Sequence, residues 1–382
     1  MTDITKNSTF MMRSVCAILF LAFTFVYLHC YQADILAVTQ HELSDGRTHY
    51  SNLIGAVVIT AALFLLQLGV YSFTGLRRRA HALTYFPSLL VLTFITGAIE
   101  KPDGHLTIGA WGVAFPLLLA AYAGLVYVVK QMLPYEPDFN ARGLFSRLMW
   151  INVLTMVAQF LFVGLFSNHN DVFHYRMRME QLLANKDYAG VLETGNKSLA
   201  RDSSMTMMRV YALSKEGKLA EKLFEYPITG GSKSLLPDNR SVKLLMYNEA
   251  FIYNYLGIRL KQPLAPMAYL DFIFRHHVAK QPAADYLLSA YLLDKNLDAF
   301  ARNIGRFYPL NGKQLPKHYR EALTLYTHLR SNPLVDYHNS LMDTDFQDYQ
   351  DMSRKFSDKT LRQNNLRLTY GNTYWYYYQY GK

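Results

Sequence analysis

The sequence predicts an all-α protein, with about five transmembrane helices followed by a soluble domain of α-helical hairpins. Three observations predict it. Apolar runs long enough to cross a bilayer are confined to the part ending near Phe166. Lys and Arg gather in every second loop between those runs. From Asp171 onward the chain is polar, rich in Tyr, and cut by Pro and Gly into short amphipathic stretches. The mean hydropathy of −0.01 averages over these two unlike parts. They divide as a multi-pass transmembrane domain over 1–167 and a soluble domain over 168–382, each long enough to enclose its own core.

Crossing about 30 Å of hydrocarbon takes roughly 20 mostly apolar residues. Five stretches qualify: Ser14–Tyr31, Leu53–Phe73, Leu83–Ile99, Ile108–Val129 and Leu148–Phe166. The third is shorter and contains Pro87, and the fourth contains Pro116; neighbouring helices can re-satisfy the backbone groups that such residues release. Lys6 and Arg13 precede the first stretch. Arg77, Arg78 and Arg79 lie between the second and third, and Lys130, Arg142 and Arg147 between the fourth and fifth. The other two loops hold only Arg47 and Lys101 as basic residues. Cations flanking apolar helices stay on the cytoplasmic side, so five crossings set the N-terminus in the cytoplasm. The C-terminal domain is then extracytoplasmic, periplasmic if this is a cytoplasmic (inner) membrane.

The first stretch reads as an uncleaved anchor. Its exit, VYLHCYQAD, lacks the small-x-small pattern of a signal-peptidase site, and His29 before Cys30 argues against lipoprotein processing. Cys16 and Cys30 lie about 21 Å apart on one helix at 1.5 Å per residue, too far for a mutual disulfide. No stretch has a charged residue at its centre, which argues against a charge-coupled transporter. The notable polar side chains there are Gln67, Asn152 and Gln159, suited to hydrogen bonds between helices.

In the second half, Asn185–Leu199, Ser214–Phe224 and Lys295–Phe307 share one shape: a small turn, an aromatic or Leu, then apolar residues at helical spacing. Leu315–Leu329 and Asp343–Phe356 each read as one amphipathic helix. The turns Asn185-Lys186-Asp187-Tyr188 and Gly217-Lys218-Leu219 resemble the opening of the second helix in the tetratricopeptide repeat. The resemblance implies stacked hairpins with a concave face that holds a protein partner. The whole layout, with LPKHYREAL at 315–323 and YGNTYW at 370–375, resembles an uncharacterised family of bacterial multi-pass membrane proteins. That likeness implies architecture and no assigned chemistry.

Chemistry is sparse in the sequence. There is no Gly-rich phosphate loop, no Gly-x-Ser-x-Gly elbow and no Cys–His pairing outside the apolar runs. His169, Asp171 and His174 fit no strong zinc spacing, and the adjacent His276 and His277 would point about 100° apart on a helix. No cofactor or metal is expected. Asp34, Glu42 and Asp45 crowd the first outer loop, where an envelope enzyme acting on lipid-linked glycan would place its carboxylates. The formal charge of +10 follows topology and helix surfaces, so membrane lipids, a protein partner and an acidic glycan are expected in preference to nucleic acid.

The chain ends in GNTYWYYYQYGK. Consecutive aromatics favour extended structure, in which Tyr374, Tyr376, Tyr378 and Tyr380 would share one face packed on the domain. Trp375 and Tyr377 would then point away, as candidates for contact with lipid, sugar or partner.

Overall fold

The chain divides into two units, Met1–Asn170 and Asp171–Lys382. The computed structural model describes residues 3–101, 105–132, 146–198, 200–238, 241–310 and 315–381. Arg142 therefore lies outside the described residues.

The first unit opens with α1 (Asp3–Val26), which runs on through a π turn at Tyr27–Tyr31. The segment expected as an outer loop instead holds α2 (Ala33–Leu43), which buries Ala33, Ile35 and Val38. Next come α3 (Asn52–Thr74), α4 (Phe86–Thr96), a hairpin of β1 (Ile99–Glu100) with β2 (Leu106–Thr107), α5 (Trp111–Met132) and α6 (Arg147–Phe166). Among the described residues, four helical stretches are long and apolar enough to cross a membrane: Phe10–Tyr31, α3, α5 and α6.

The third apolar stretch corrects an expectation. No continuous helix covers 83–99; Arg78–Tyr85 is 3-10 helix, and α4 has only eleven residues. Pro87 explains the break. Its ring would crowd the carbonyl four residues back and its missing N–H would leave that carbonyl unbonded, so an α-helix tends to kink or break there; here it breaks, whereas α5 carries Pro116 within it. In the first turn of α4 its missing N–H costs nothing.

The 3-10 backbone is then served by neighbours. Asn152 accepts the Ala82 N–H at 2.8 Å and donates to the Arg78 carbonyl at 3.0 Å. Gln159 donates to the Ala82 carbonyl at 3.1 Å, and Gln67 to the Thr84 hydroxyl at 2.9 Å. Asn152, Gln159 and Gln67 thus converge on the 3-10 segment, as buried irregular backbone requires.

These contacts also give direction. At one end Asn152 meets Arg78 and the sulfur of Met12. At the other, Asn168 binds Thr96 and Ala98, and Gln32 donates to the Asn168 carbonyl. Residues 12–32, 78–98 and 152–168 therefore run parallel. α3 runs against them, pairing Leu63 with Ser88 and Gln67 with Thr84. α5 also runs against them, stacking Tyr122 on Phe86 and setting Phe115 at a tilt against Phe94.

The second unit is helical among its described residues. Its helices are α7 (Asp171–Ala184), α8 (Tyr188–Glu193), α9 (Ser203–Lys215), α10 (Leu219–Lys222), α11 (Ala250–Leu256) and α12 (Pro266–Arg275). They continue with α13 (Pro282–Leu293), α14 (Leu297–Ile304), α15 (Lys317–Leu329), α16 (Ser340–Lys355), α17 (Lys359–Tyr370) and α18 (Tyr374–Tyr380). The three turns singled out in the sequence share one geometry. Lys186, Gly217 and Lys295 adopt positive φ of 59°, 68° and 58°. The next residue in each, Asp187, Lys218 or Asn296, donates its N–H to Leu182, Leu213 or Tyr291 in the closing turn of the helix before. This six-to-one bond is the Schellman motif. Asp187 and Asn296 then cap the next helix, accepting the N–H of Gly190 and Ala299.

The second helices of these hairpins have only four to eight residues. Between α10 and α11 the described residues of 226–238 and 241–249 hold no α-helix, only a 3-10 turn at Gly231–Ser234, and bury Leu235, Leu236 and Val242. Toward the C-terminus α15 becomes the central helix, with α10, α14, α16 and α18 packed around it.

Candidate functional site

Two motifs of the sequence meet on α15. His318 and Glu321, three residues apart and both buried, stand on its inward side with Nδ1 and Oε2 2.8 Å apart. His318 Nε2 accepts the Phe224 N–H at 3.3 Å. An acceptor at Nε2 leaves the proton on Nδ1, so a neutral imidazole donates to the carboxylate. The same Glu321 oxygen accepts the Tyr374 N–H at 2.7 Å, and the Glu321 carbonyl accepts from the Trp375 indole at 2.7 Å. Both imidazole nitrogens and the acidic oxygen are spent on partners, so the pair is a clamp and not a reacting dyad.

The clamp decides the tail and corrects the expected strand. Residues 374–380 are helical, and Thr373 caps them by accepting the Tyr376 N–H. A period of 3.6 residues in place of 2 turns Tyr374, Trp375 and Tyr377 toward the core together. Trp375 is 3% exposed and Tyr377 8%. Neither points away from the domain, and the Tyr377 hydroxyl donates to the Leu293 carbonyl at 2.8 Å.

Beside this helix lies a cleft of two adjoining hollows, each of about 270 Å³. Its floor is Phe224 and Tyr377, with ring centroids 4.7 Å apart, so the clamp that docks α18 also builds the floor. Tyr226 and Pro227 line one wall; Gln363, Arg367 and Tyr376 line the other. Lys197 and Arg201 sit at the rim. Some exposed arginines elsewhere in the unit are paired with carboxylates, among them Arg275 with Asp271 and Arg330 with Asp298, both at 2.6 Å. Among the described residues, Lys197, Arg201 and Arg367 have no such partner. Glu225, the one acidic side chain at the cleft among the described residues, stands 3.7 Å from Lys317.

A further cation lies behind the wall. Arg209 is 2% exposed and donates to the carbonyls of Pro227 and Thr194 at 3.1 and 3.2 Å. Burial lowers its pKa to about 10, which leaves it charged at neutral pH. The cleft therefore carries excess positive charge from both rim and interior, an arrangement that raises the local concentration of anions.

Glu180 is a further buried ionisable side chain. It accepts the N–H groups of Leu245, Met246 and Tyr247 at 2.9, 2.6 and 2.9 Å, which straps residues 245–247 onto α7. Burial pushes its pKa up to about 7, against those donors and Arg176.

Asp34, Glu42 and Asp45, expected to crowd an outer loop, do not gather. Asp34 is in the first turn of α2 and Glu42 in its last, about 12 Å apart along the axis at 1.5 Å per residue. Glu42 lies 3.1 Å from His105 Nδ1, and Asp45 is exposed in the turn beyond with φ 48°. Among the described residues no three His, Cys, Asp or Glu side chains are grouped to hold a metal ion.

The cleft residues were not legible in the sequence. Arg201 and Arg367 belong to no motif, and only the docking of α17 and α18 brings them to one groove. Glu180 and Arg209 carry no local signal either, being single charges in amphipathic stretches.

No curated protein matches this chain, and no solved structure matches it. One family model matches over residues 98–258 and 261–381, more than half of the chain. The chain belongs to that family, DUF6057, a family of unknown function.

Proposed function

We propose that the protein is a membrane-anchored scaffold or assembly factor that crosses the bilayer five times. It presents its second unit outside the cytoplasm as a protein-interaction domain. The observation that carries the reading is the parallel course of residues 12–32, 78–98 and 152–168, each starting at the end that bears Arg13, Arg78 and Arg147. At about 2.0 Å per 3-10 residue and 1.5 Å per α residue, Arg78–Thr96 reaches roughly 32 Å, enough to traverse the hydrocarbon. An odd number of crossings puts the two chain ends on opposite sides, and the cationic end is the cytoplasmic one. The hairpins with their common turn support a tetratricopeptide-like use, in which a stacked array offers its surface to a protein. No observation favours the alternative of catalysis on lipid-linked glycan by Asp34, Glu42 and Asp45.

Reporter enzymes active only outside the cytoplasm, fused after Gly75, within 102–104 and after Lys382, test the crossings. Activity is expected at the second and third positions and not at the first. An inactive reporter after Lys382 sinks the reading. A photo-crosslinking residue on the exposed surface of the second unit, in intact cells, tests the scaffold role. A discrete protein adduct is expected, and none above background at several positions overturns it.

A further inference from the structure

We propose that the cleft between Arg201, Tyr226, Arg367 and Tyr376 binds a small anionic saccharide, a sugar ring bearing a carboxylate or a phosphate. The proposal goes beyond the reading of the second unit as a protein-interaction domain, and it depends neither on that reading nor on the side of the membrane.

Three features carry it. The first is charge: Lys197, Arg201 and Arg367 face the cleft without carboxylate partners, and Arg209 stands buried behind Pro227 with only carbonyl acceptors. Arginine presents a planar fork of donors that fits a carboxylate or phosphate at two points. The second is the remaining lining. Asn196 and Gln363 each offer a donor and an acceptor, as vicinal hydroxyls require. Tyr226, Tyr376 and Tyr380 are half-buried, each an apolar body with a polar tip suited to the C–H face of a sugar ring. The third is size. The cleft comprises two adjoining hollows of about 270 Å³ each that share Arg201, Tyr226 and Tyr376, each just below the ~300–1,000 Å³ of drug-sized pockets and each of a scale for one sugar ring.

The test uses the full chain in nanodiscs of zwitterionic lipid, with saturation-transfer NMR and calorimetry. The probes are glucuronate, glucose 6-phosphate, glucose and inorganic phosphate. The two charged sugars are expected to bind at least about tenfold more tightly than glucose or phosphate, roughly one charge-assisted hydrogen bond. Arg201→Gln combined with Arg367→Gln is expected to abolish that preference with an unchanged melting temperature, since both side chains are exposed. Tyr376→Leu is expected to weaken the sugars and not phosphate. Vesicles containing phosphatidylinositol separate the sources: displacement of glucuronate assigns a lipid headgroup, and no displacement a free or polymeric sugar. Equal binding of glucose, phosphate binding as tightly as the charged sugars, indifference to the double substitution, or no binding at 10 mM (about 3 kcal/mol) overturns the proposal. The reporter fusions can fail while this binding holds, and the reverse, so the two readings are separable.

Discussion

Glu321 and Tyr374, 53 residues apart in sequence, are joined by a 2.7 Å hydrogen bond in which the Tyr374 backbone N–H donates to the Glu321 carboxylate. That bond ties LPKHYREAL to YGNTYW. A terminal run of aromatics becomes a capped helix because its first N–H finds a buried acceptor, held in turn by His318.

Glu321→Ala is expected to undock α18. It leaves the His318 N–H and the Tyr374 N–H without partners in a dry interior, which costs about 3–5 kcal/mol. Glu321→Gln keeps an acceptor oxygen there and is expected to cost about half as much. Protease sensitivity of the segment after Tyr370, followed by mass spectrometry, separates them; equal protection of both variants and wild type would refute the clamp.

Deletion of residues 371–382 is expected to lower the second unit's stability by more than Glu321→Ala alone. It removes Tyr374, Trp375 and Tyr377 from the core, and each large aromatic lost is worth about 3–5 kcal/mol. An unchanged thermal midpoint would show that the tail is not part of the fold.

The second unit is expected to lose stability between about pH 4.5 and pH 7. Burial raises the Glu180 pKa to about 7 in the folded chain. The folded state therefore binds the proton more tightly than the unfolded one, so its contribution is complete below the unfolded value and disappears as pH rises through the folded one. Over the full window the effect is about 3 kcal/mol. Glu180→Gln keeps an oxygen for the three N–H groups and is expected to flatten the profile. Thermal midpoints at pH 5 and pH 8 for both proteins measure it, and parallel profiles would exclude Glu180 as the source.

Asn152→Leu is expected to destabilise the first unit by about 2–4 kcal/mol, since it orphans the Ala82 N–H and the Arg78 carbonyl where water does not reach. Leu is apolar and similar in volume, so a packing role alone predicts little change. Retained thermal stability in nanodiscs would mean that the 3-10 segment finds other partners.

Lys186→Gly is expected to stabilise by about 0.5–1 kcal/mol, because glycine takes positive φ without the Cβ penalty. Lys295→Gly, in the same turn, is not expected to gain. The Lys295 ammonium donates to the Gly381 carbonyl at 2.8 Å and lies 5.7 Å from the Tyr377 ring centre. Chemical denaturation of the two variants checks the contrast.

Much of the fold is legible for reasons local to the chain. Apolar length marks α3, α5 and α6, and the turn residues at 185–188, 216–219 and 294–297 mark the hairpins. α15 and α16 form at Lys317–Leu329 and Ser340–Lys355, close to where helical spacing puts them. The eleven-residue α4 is not legible in this way, because a hydropathy window cannot tell 3-10 from α backbone. Pro87 is the one local signal, and an apolar stretch can either carry a proline within a helix or break at it.

By itself, the order of residues determined where apolar surface and cation-bearing loops lie, because greasy length and turn chemistry are properties of neighbours in sequence. Only the tertiary structure decided that Asn152, Gln159 and Gln67 serve one irregular segment, that the tyrosine tail is a docked helix, and that Arg201 and Arg367 share a cleft. Each depends on which distant group supplies a partner once water is excluded, and no local pattern encodes that partner.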